Sequence, residues 1–121
     1  MERLTTQEEE AMLILWRLKK AFVRDVLEEY PEPKPPYTTV ASTVKNLERK
    51  QYVKSRKYGN MFEYKPAVTE EHYKKHFVSG FVQKYFRNSY SDLVSFFARE
   101  QAISAGELKE IIRLIENRKR R

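Results

Sequence analysis

The chain has 121 residues, 40% of them hydrophobic and 34% charged, with a formal net charge of +7. That length makes one ordinary domain or a small domain with an appendage. There is no Cys, which excludes disulfides, thiolate zinc sites and cysteine nucleophiles.

Thr6 and Glu9 have the spacing of a capping box, in which each side chain satisfies an orphan amide of the other. Ala11, Ile14, Leu15 and Leu18 follow on one face, with Trp16 at its edge, and predict a first helix over Thr6 to Leu18. A lone Trp on such a helix reads as packing rather than as a base-stacking group. Phe22 to Tyr30 reads as a second, shorter helix with Val23, Val26, Leu27 and Tyr30 inward. Four prolines (Pro31, Pro33, Pro35, Pro36) then force the chain to stop and restart. Proline-rich runs also serve as ligands for other domains, but one this short between two helices reads as a rigid turn.

Thr38 to Lys50 is the stretch around which the rest is organised. Val40, Val44 and Leu47 recur at steps of four and three and fall on one side of a helix. Thr39, Ser42, Lys45, Asn46 and Arg49 lie largely on the other. They are hydroxyls, an amide and two cations, the groups that hydrogen-bond phosphates and base edges. Tyr52 to Tyr58 and Met61 to Lys65 read as two short strands joined at Gly59-Asn60, a pair suited to the positive φ of a tight hairpin turn. Lys54, Arg56 and Lys57 stand on the first strand beside that turn. Three helices followed by a hairpin with a basic tip are the order of a winged helix-turn-helix, with Thr38 to Lys50 as recognition helix.

Thr69 is a candidate cap for a long helix from Thr69 to Arg87. Its stripe, Tyr73, Phe77, Val78, Phe81, Val82, Tyr85 and Phe86, is too wide for one partner surface. A shorter helix carrying Leu93, Val94, Phe96 and Phe97 follows a break at Asn88 to Tyr90. Ser104 and Glu107 form another capping box, opening a last helix with Leu108, Ile111, Ile112 and Ile115 on one face. Three such helices cannot bury so many large apolar groups alone, and exposed they would form a patch larger than soluble monomers usually show. A homodimer with interlocking helices resolves this. The tail Arg118 to Arg121 is cationic and suits the C-terminal end of a helix dipole.

Charge is unevenly spread. Residues 1–36 carry 6 basic and 8 acidic groups, residues 37–66 carry 7 and 2, and residues 67–121 carry 11 and 7. The densest positive block thus begins at the candidate recognition helix, which favours a polyanion such as DNA over a merely solvated face. Chemistry of other kinds is not assembled. His72 and His76 have a metal-compatible spacing on a helix, but no third ligand accompanies them. The only aspartates, Asp25 and Asp92, are far apart, and glycines at 59, 80 and 106 cannot make a phosphate loop. The chain is therefore expected to have no catalytic residues, metal or cofactor, and not to be an enzyme. No apolar run approaches a membrane span and no signal-peptide h-region is present, so a cytoplasmic protein is expected.

The start Leu4-Thr5-Thr6-Gln7-Glu8-Glu9, the Leu15-Trp16 pair and the block Tyr37-Thr38-Thr39-Val40-Ala41-Ser42-Thr43-Val44 resemble the penicillinase repressor family (BlaI/MecI type). So do Leu47-Glu48-Arg49-Lys50, the Tyr58-Gly59 turn, the Phe62-Glu63-Tyr64 strand and, more loosely, the Asp92-Leu93-Val94 helix and the Ser104-to-Glu107 start of the last one. The resemblance implies a winged-helix DNA-binding domain and a helical dimerisation domain, in repressors that bind palindromic operators as dimers. In the resistance members a membrane sensor-protease triggers cleavage in the dimerisation domain. The chain departs from the family at Asn46, where a basic residue is usual, and at Gln51, where Gly is usual. The bond cut in the resistance regulators aligns with Phe96-Phe97, without the usual Asn, and the cysteines of the copper-responsive branch are absent.

The expected architecture is therefore mainly α with a small β hairpin: a winged helix-turn-helix over 1–67 and a three-helix dimerisation region over 68–121. The expected function is a dimeric, sequence-specific repressor. Thr38, Thr39, Ser42, Lys45 and Asn46 would read or flank the major groove, Asn46 bonding an adenine edge. Arg49, Lys54, Arg56 and Lys57 would hold phosphates. Phe77, Phe81, Tyr85, Leu93, Phe96, Phe97, Leu108, Ile111, Ile112 and Ile115 would pair two copies. The expected partners are operator DNA, a second copy and a membrane sensor-protease. The alternative is a winged-helix protein-interaction module that grips another partner with its aromatic C-terminal helices.

Overall fold

In the computed structural model, which describes residues 1–119, helix α1 (Thr6–Leu18) starts one capping register earlier than the sequence suggested. The box is Thr5 with Glu8, not Thr6 with Glu9: the Glu8 amide donates to Thr5 Oγ1 at 3.1 Å and the Thr5 amide to Glu8 Oε1 at 2.9 Å. Both registers satisfy the local pattern. The earlier one wins because Glu8 is buried and also receives Lys50 Nζ at 2.6 Å. The second helix is likewise shorter than expected. Ala21–Phe22 form a strand, β1, and helix α2 is confined to Val23–Glu28. Tertiary pairing overrides helix propensity there, since Ala21 and Phe22 stand opposite Tyr64 and Glu63. Lys34 Nζ then closes the end of α2, bonding the Glu28 and Tyr30 carbonyls at 2.8 and 2.7 Å.

Helix α3 (Tyr37–Arg49) buries Val40, Thr43, Val44 and Leu47 against α1 and α2. Thr43 is tolerated inside because its hydroxyl bonds the Thr39 carbonyl at 2.8 Å. The helix ends in a Schellman motif. The Tyr52 amide reaches the Leu47 carbonyl at 2.9 Å and the Gln51 amide the Glu48 carbonyl at 3.0 Å, with Gln51 held at φ 69. Strands β2 (Val53–Tyr58) and β3 (Met61–Pro66) follow, giving an antiparallel sheet in the order β1-β3-β2. The hairpin turns in two residues, with Gly59 at φ 59. No neighbour lies near enough to exclude a side chain at Gly59, so its role is the backbone conformation alone.

The core gathers Ala11, Met12, Ile14, Leu15, Ala21, Val26, Val40, Val44, Leu47, Tyr52, Val53 and Tyr64. Burying a Leu such as Leu15 or Leu47 contributes roughly 1.5–3 kcal/mol, so these few side chains account for most of what holds three short helices to a short sheet. Trp16 is a packing residue, as expected: its indole N–H donates to the Val68 carbonyl at 2.8 Å and its ring lies 5.4 Å from Tyr73. This compact unit runs from Met1 to Lys74.

The second unit begins at Lys75 and contains most of α4 (Glu70–Phe86), together with α5 (Tyr90–Arg99) and α6 (Ala105–Lys119). The caps expected at Thr69 and at Ser104 with Glu107 are present, and Ser89 caps α5. Of the cationic tail, Arg120 and Arg121 lie outside the described residues. The architecture is mainly α with a small antiparallel sheet, a winged helix followed by a three-helix region.

Candidate nucleic-acid interface

The face of α3 opposite its buried stripe carries the residues singled out from the sequence. Thr38, Ser42, Lys45, Asn46 and Arg49 are exposed and Thr39 is half-buried. The periodicity that buries Val40, Thr43, Val44 and Leu47 is what turns them outward together. Ser42 Oγ donates to the Thr39 carbonyl at 3.3 Å, which leaves the hydroxyl oxygen available as an acceptor. Lys50 belongs to a different set. It is drawn inward to Glu8 and to the Arg3 carbonyl, 2.6 and 3.0 Å away, and is only 11% exposed.

The hairpin is fastened to this helix at its base, where Ser55 Oγ donates to Glu48 Oε2 at 2.5 Å. Lys54, Arg56 and Lys57 are all exposed. Strand alternation places Lys54 and Arg56 on one face with Tyr58, the Arg56 guanidinium 5.2 Å from that ring's centre. Lys57 stands on the other face, 6.0 Å from the Phe62 ring.

The structure adds candidates that the sequence reading passed over. Lys65 stands directly opposite Lys54 in the ladder, so two cations share one outer face of the hairpin. The signal was available: a two-residue turn at Gly59-Asn60 fixes this register. Arg24, an exposed residue of α2, lines a cleft with Lys45 and Tyr37 beside the hairpin tip. Nothing local marked it, because only tertiary packing brings α2 to the hairpin. No group of His and acidic side chains able to hold a metal occurs among the described residues.

The residues expected to pair two copies form a different surface. Val82 is the only buried apolar side chain of the second unit among the described residues. Phe77, Phe81, Tyr85, Phe96, Phe97, Ile111, Ile112 and Ile115 are between 37% and 63% exposed, while Leu93 and Leu108 are half-buried. The aromatics form a chain, with Phe81 5.8 Å from Phe86, Phe86 5.8 Å from Phe96 and Phe96 5.7 Å from Phe97. Three helices with so little interior are short of the burial that usually stabilises short helices.

A sequence model of one protein family, described as penicillinase repressor, matches residues 4–117. The chain belongs to the penicillinase repressor family. Among family relatives, the methicillin resistance regulatory protein MecI of Staphylococcus aureus (strain N315) is 26% identical over 117 residues, covering 96% of this chain and 94% of that protein. MecI of Mammaliicoccus sciuri is 26% identical over 121 residues, with the same shares. Among solved structures, the solution structure of the DNA binding domain of the repressor BlaI aligns with a TM-score of 0.51 at 22% identity, over 60% of this chain and 94% of that one. At that identity the likeness concerns the fold, and it supports the winged-helix reading. No helix of this penicillinase repressor family member is long and apolar enough to cross a membrane among the described residues.

Proposed function

We propose that this penicillinase repressor family member is a DNA-binding transcriptional repressor that acts as a homodimer on a palindromic operator. The observation that carries the reading is the two-faced α3: Val40, Thr43, Val44 and Leu47 are buried, while Thr38, Ser42, Lys45, Asn46 and Arg49 face solvent beside a cationic hairpin. In this reading residues 1–67 bind DNA. Thr38, Thr39, Ser42, Lys45 and Asn46 enter or flank the major groove, and Asn46 presents the two-pronged amide that suits an adenine edge. Arg49, Lys54, Arg56 and Lys57 sit on phosphates and fix the register.

Residues 68–121 pair the two copies through Phe77, Phe81, Tyr85, Leu93, Phe96, Phe97, Leu108, Ile111, Ile112 and Ile115. What supports this is the exposure of so many large apolar side chains on helices that have almost no interior of their own. A twofold dimer then sets half-sites about one turn of duplex apart or somewhat more. Release is assigned to a membrane sensor-protease that cuts within the helical region. The Phe96–Phe97 bond lies inside α5, so cutting there requires that helix to open locally.

The test is a gel shift of the full chain on its own upstream DNA over a salt series. Affinity should fall steeply with salt and depend on sequence, because phosphate contacts release counterions and base contacts do not. Binding indifferent to both would leave the second reading, a protein-interaction module gripping an unrelated partner with the aromatic helices. The same exposed apolar surface supports that reading, and sedimentation of the purified chain separates a self-paired protein from a monomer.

A further inference from the structure

A second cleft, of about 550 Å³, lies between α1, the proline segment after α2 and the first half of α3, and no hairpin residue lines it. That volume falls within the roughly 300–1,000 Å³ usual for small-molecule sites. Its walls are apolar, formed by Leu13 of α1, Tyr30, Pro31, Pro33 and Pro35. Leu13 is 49% exposed there. Three prolines with fixed φ make the wall rigid before anything binds. The rim is acidic. Glu29 is paired with Arg17 at 2.8 Å, whereas Glu10 pairs with no cation among the described residues. Lys34, on the same proline segment, is held by the Glu28 and Tyr30 carbonyls at 2.8 and 2.7 Å. The charge of Glu10 reaches inside: burial first, and then Glu10, push the Tyr30 phenol above its ordinary value.

We propose that this cleft binds a small organic cation, its apolar body against Leu13, Tyr30 and the prolines and its ammonium group at Glu10. The lining carries two carboxylates, Glu10 and Glu29, against one cation, Arg17, so an ammonium is the charge that completes it. The Tyr30 ring offers the same cation a second attraction. A surplus carboxylate repels a phosphate backbone, which sets this cleft apart from the cationic face of α3 and the hairpin. The assignment is independent of the DNA-binding reading.

The test is titration of the full chain with naphthylmethylamine, followed through the backbone amide shifts. Binding should be about millimolar, the scale of a ligand with so few atoms, and the shifts should gather at Glu10, Leu13, Tyr30 and Thr39. Naphthylmethanol, the same body without the charge, should bind about threefold more weakly, the scale of one exposed ion pair. Glu10→Gln should abolish that difference, while Glu116→Gln on exposed α6 should keep it. Leu13→Gln should weaken amine and alcohol alike by about fourfold, the scale of one buried methylene. Shifts gathered elsewhere, or none at millimolar amine, overturn the site. Equal binding of amine and alcohol by the wild type, or a preference that survives Glu10→Gln, overturns the recognition of a cation.

Discussion

Lys50 places its ammonium 2.6 Å from the Glu8 carboxylate, which fastens the last turn of α3 to the first turn of α1. Both side chains are nearly buried, 11% and 6% exposed. Burial alone would raise the Glu8 carboxyl, but the hydrogen bond and charge of Lys50 and the bonds to Thr5 hold it below the ordinary carboxylate value. A folded-state pKa below the unfolded one means stability that is present above the unfolded value and is lost as pH falls through the lowered one.

Lys50→Met removes the cation and leaves the carboxylate buried. At neutral pH this should cost about 3 kcal/mol, the penalty of breaking a buried pair from one side. The pH dependence should also weaken. With the hydrogen bond and charge of Lys50 gone, burial is opposed only by the bonds to Thr5, so the Glu8 pKa moves up toward or past its unfolded value and less stability is lost as pH falls. Urea midpoints measured across the acid range check both points. Parallel profiles for the two proteins would show that the pair does not hold Glu8.

Gln51 occupies the left-handed position that closes the Schellman motif, at φ 69. A side chain there costs roughly 1 kcal/mol relative to glycine. Gln51→Gly, the residue usual at this place in the family, should therefore raise stability by about that amount, offset in part by the freer unfolded chain. The urea midpoint should rise with an unchanged slope. A lower midpoint would mean that the Gln side chain makes a compensating contact.

Base readers and phosphate holders should fail in different ways. Asn46→Ala should cost about 1–3 kcal/mol on the operator and relax preference at one base pair per half-site. Arg56→Ala should weaken binding about equally on every sequence and lower the salt slope by about one. Competition binding against a library of single-base operator variants distinguishes the two. If Asn46→Ala lowers affinity uniformly, Asn46 is holding backbone.

The pairing of two copies has a thermodynamic signature. Because the second unit buries only Val82 among its described apolar side chains, its helices should depend on association. The wild-type melting temperature should then rise with protein concentration. In Phe81→Asp with Ile112→Asp, sedimentation should give a monomer, helical circular dichroism should fall, and operator binding should weaken steeply. A wild-type melting temperature independent of concentration would argue against the dimer.

Elements set by local chemistry were legible in the sequence: the two-faced α3 from the spacing of Val40, Val44 and Leu47, the turn from Gly59-Asn60, and the cap of α6 from Ser104 and Glu107. What was illegible depended on distant partners. Thr5 and Thr6 offer equivalent capping patterns, and only Lys50, more than forty residues on, selects Thr5 with Glu8. Ala21 and Phe22 have no strand signal of their own and become β1 because β3 presents an edge to them. The candidate site was readable where it lies on one periodic helix. Arg24 escaped because its place beside the hairpin is a tertiary fact.

The opposition of Lys54 and Lys65 gives ionic strength two opposed effects on one hairpin. In the free protein the two ammonium groups repel each other, a penalty of roughly 0.2–1 kcal/mol for like charges placed cross-strand, and added salt screens it. On DNA the same two charges would be neutralised by phosphate, and added salt would loosen that hold. The hairpin should thus be most firmly paired, by amide hydrogen exchange at Lys54 and Lys65, either on DNA at low salt or free at high salt. It should be loosest when free in dilute buffer, the condition in which an electrostatically steered search for DNA is fastest.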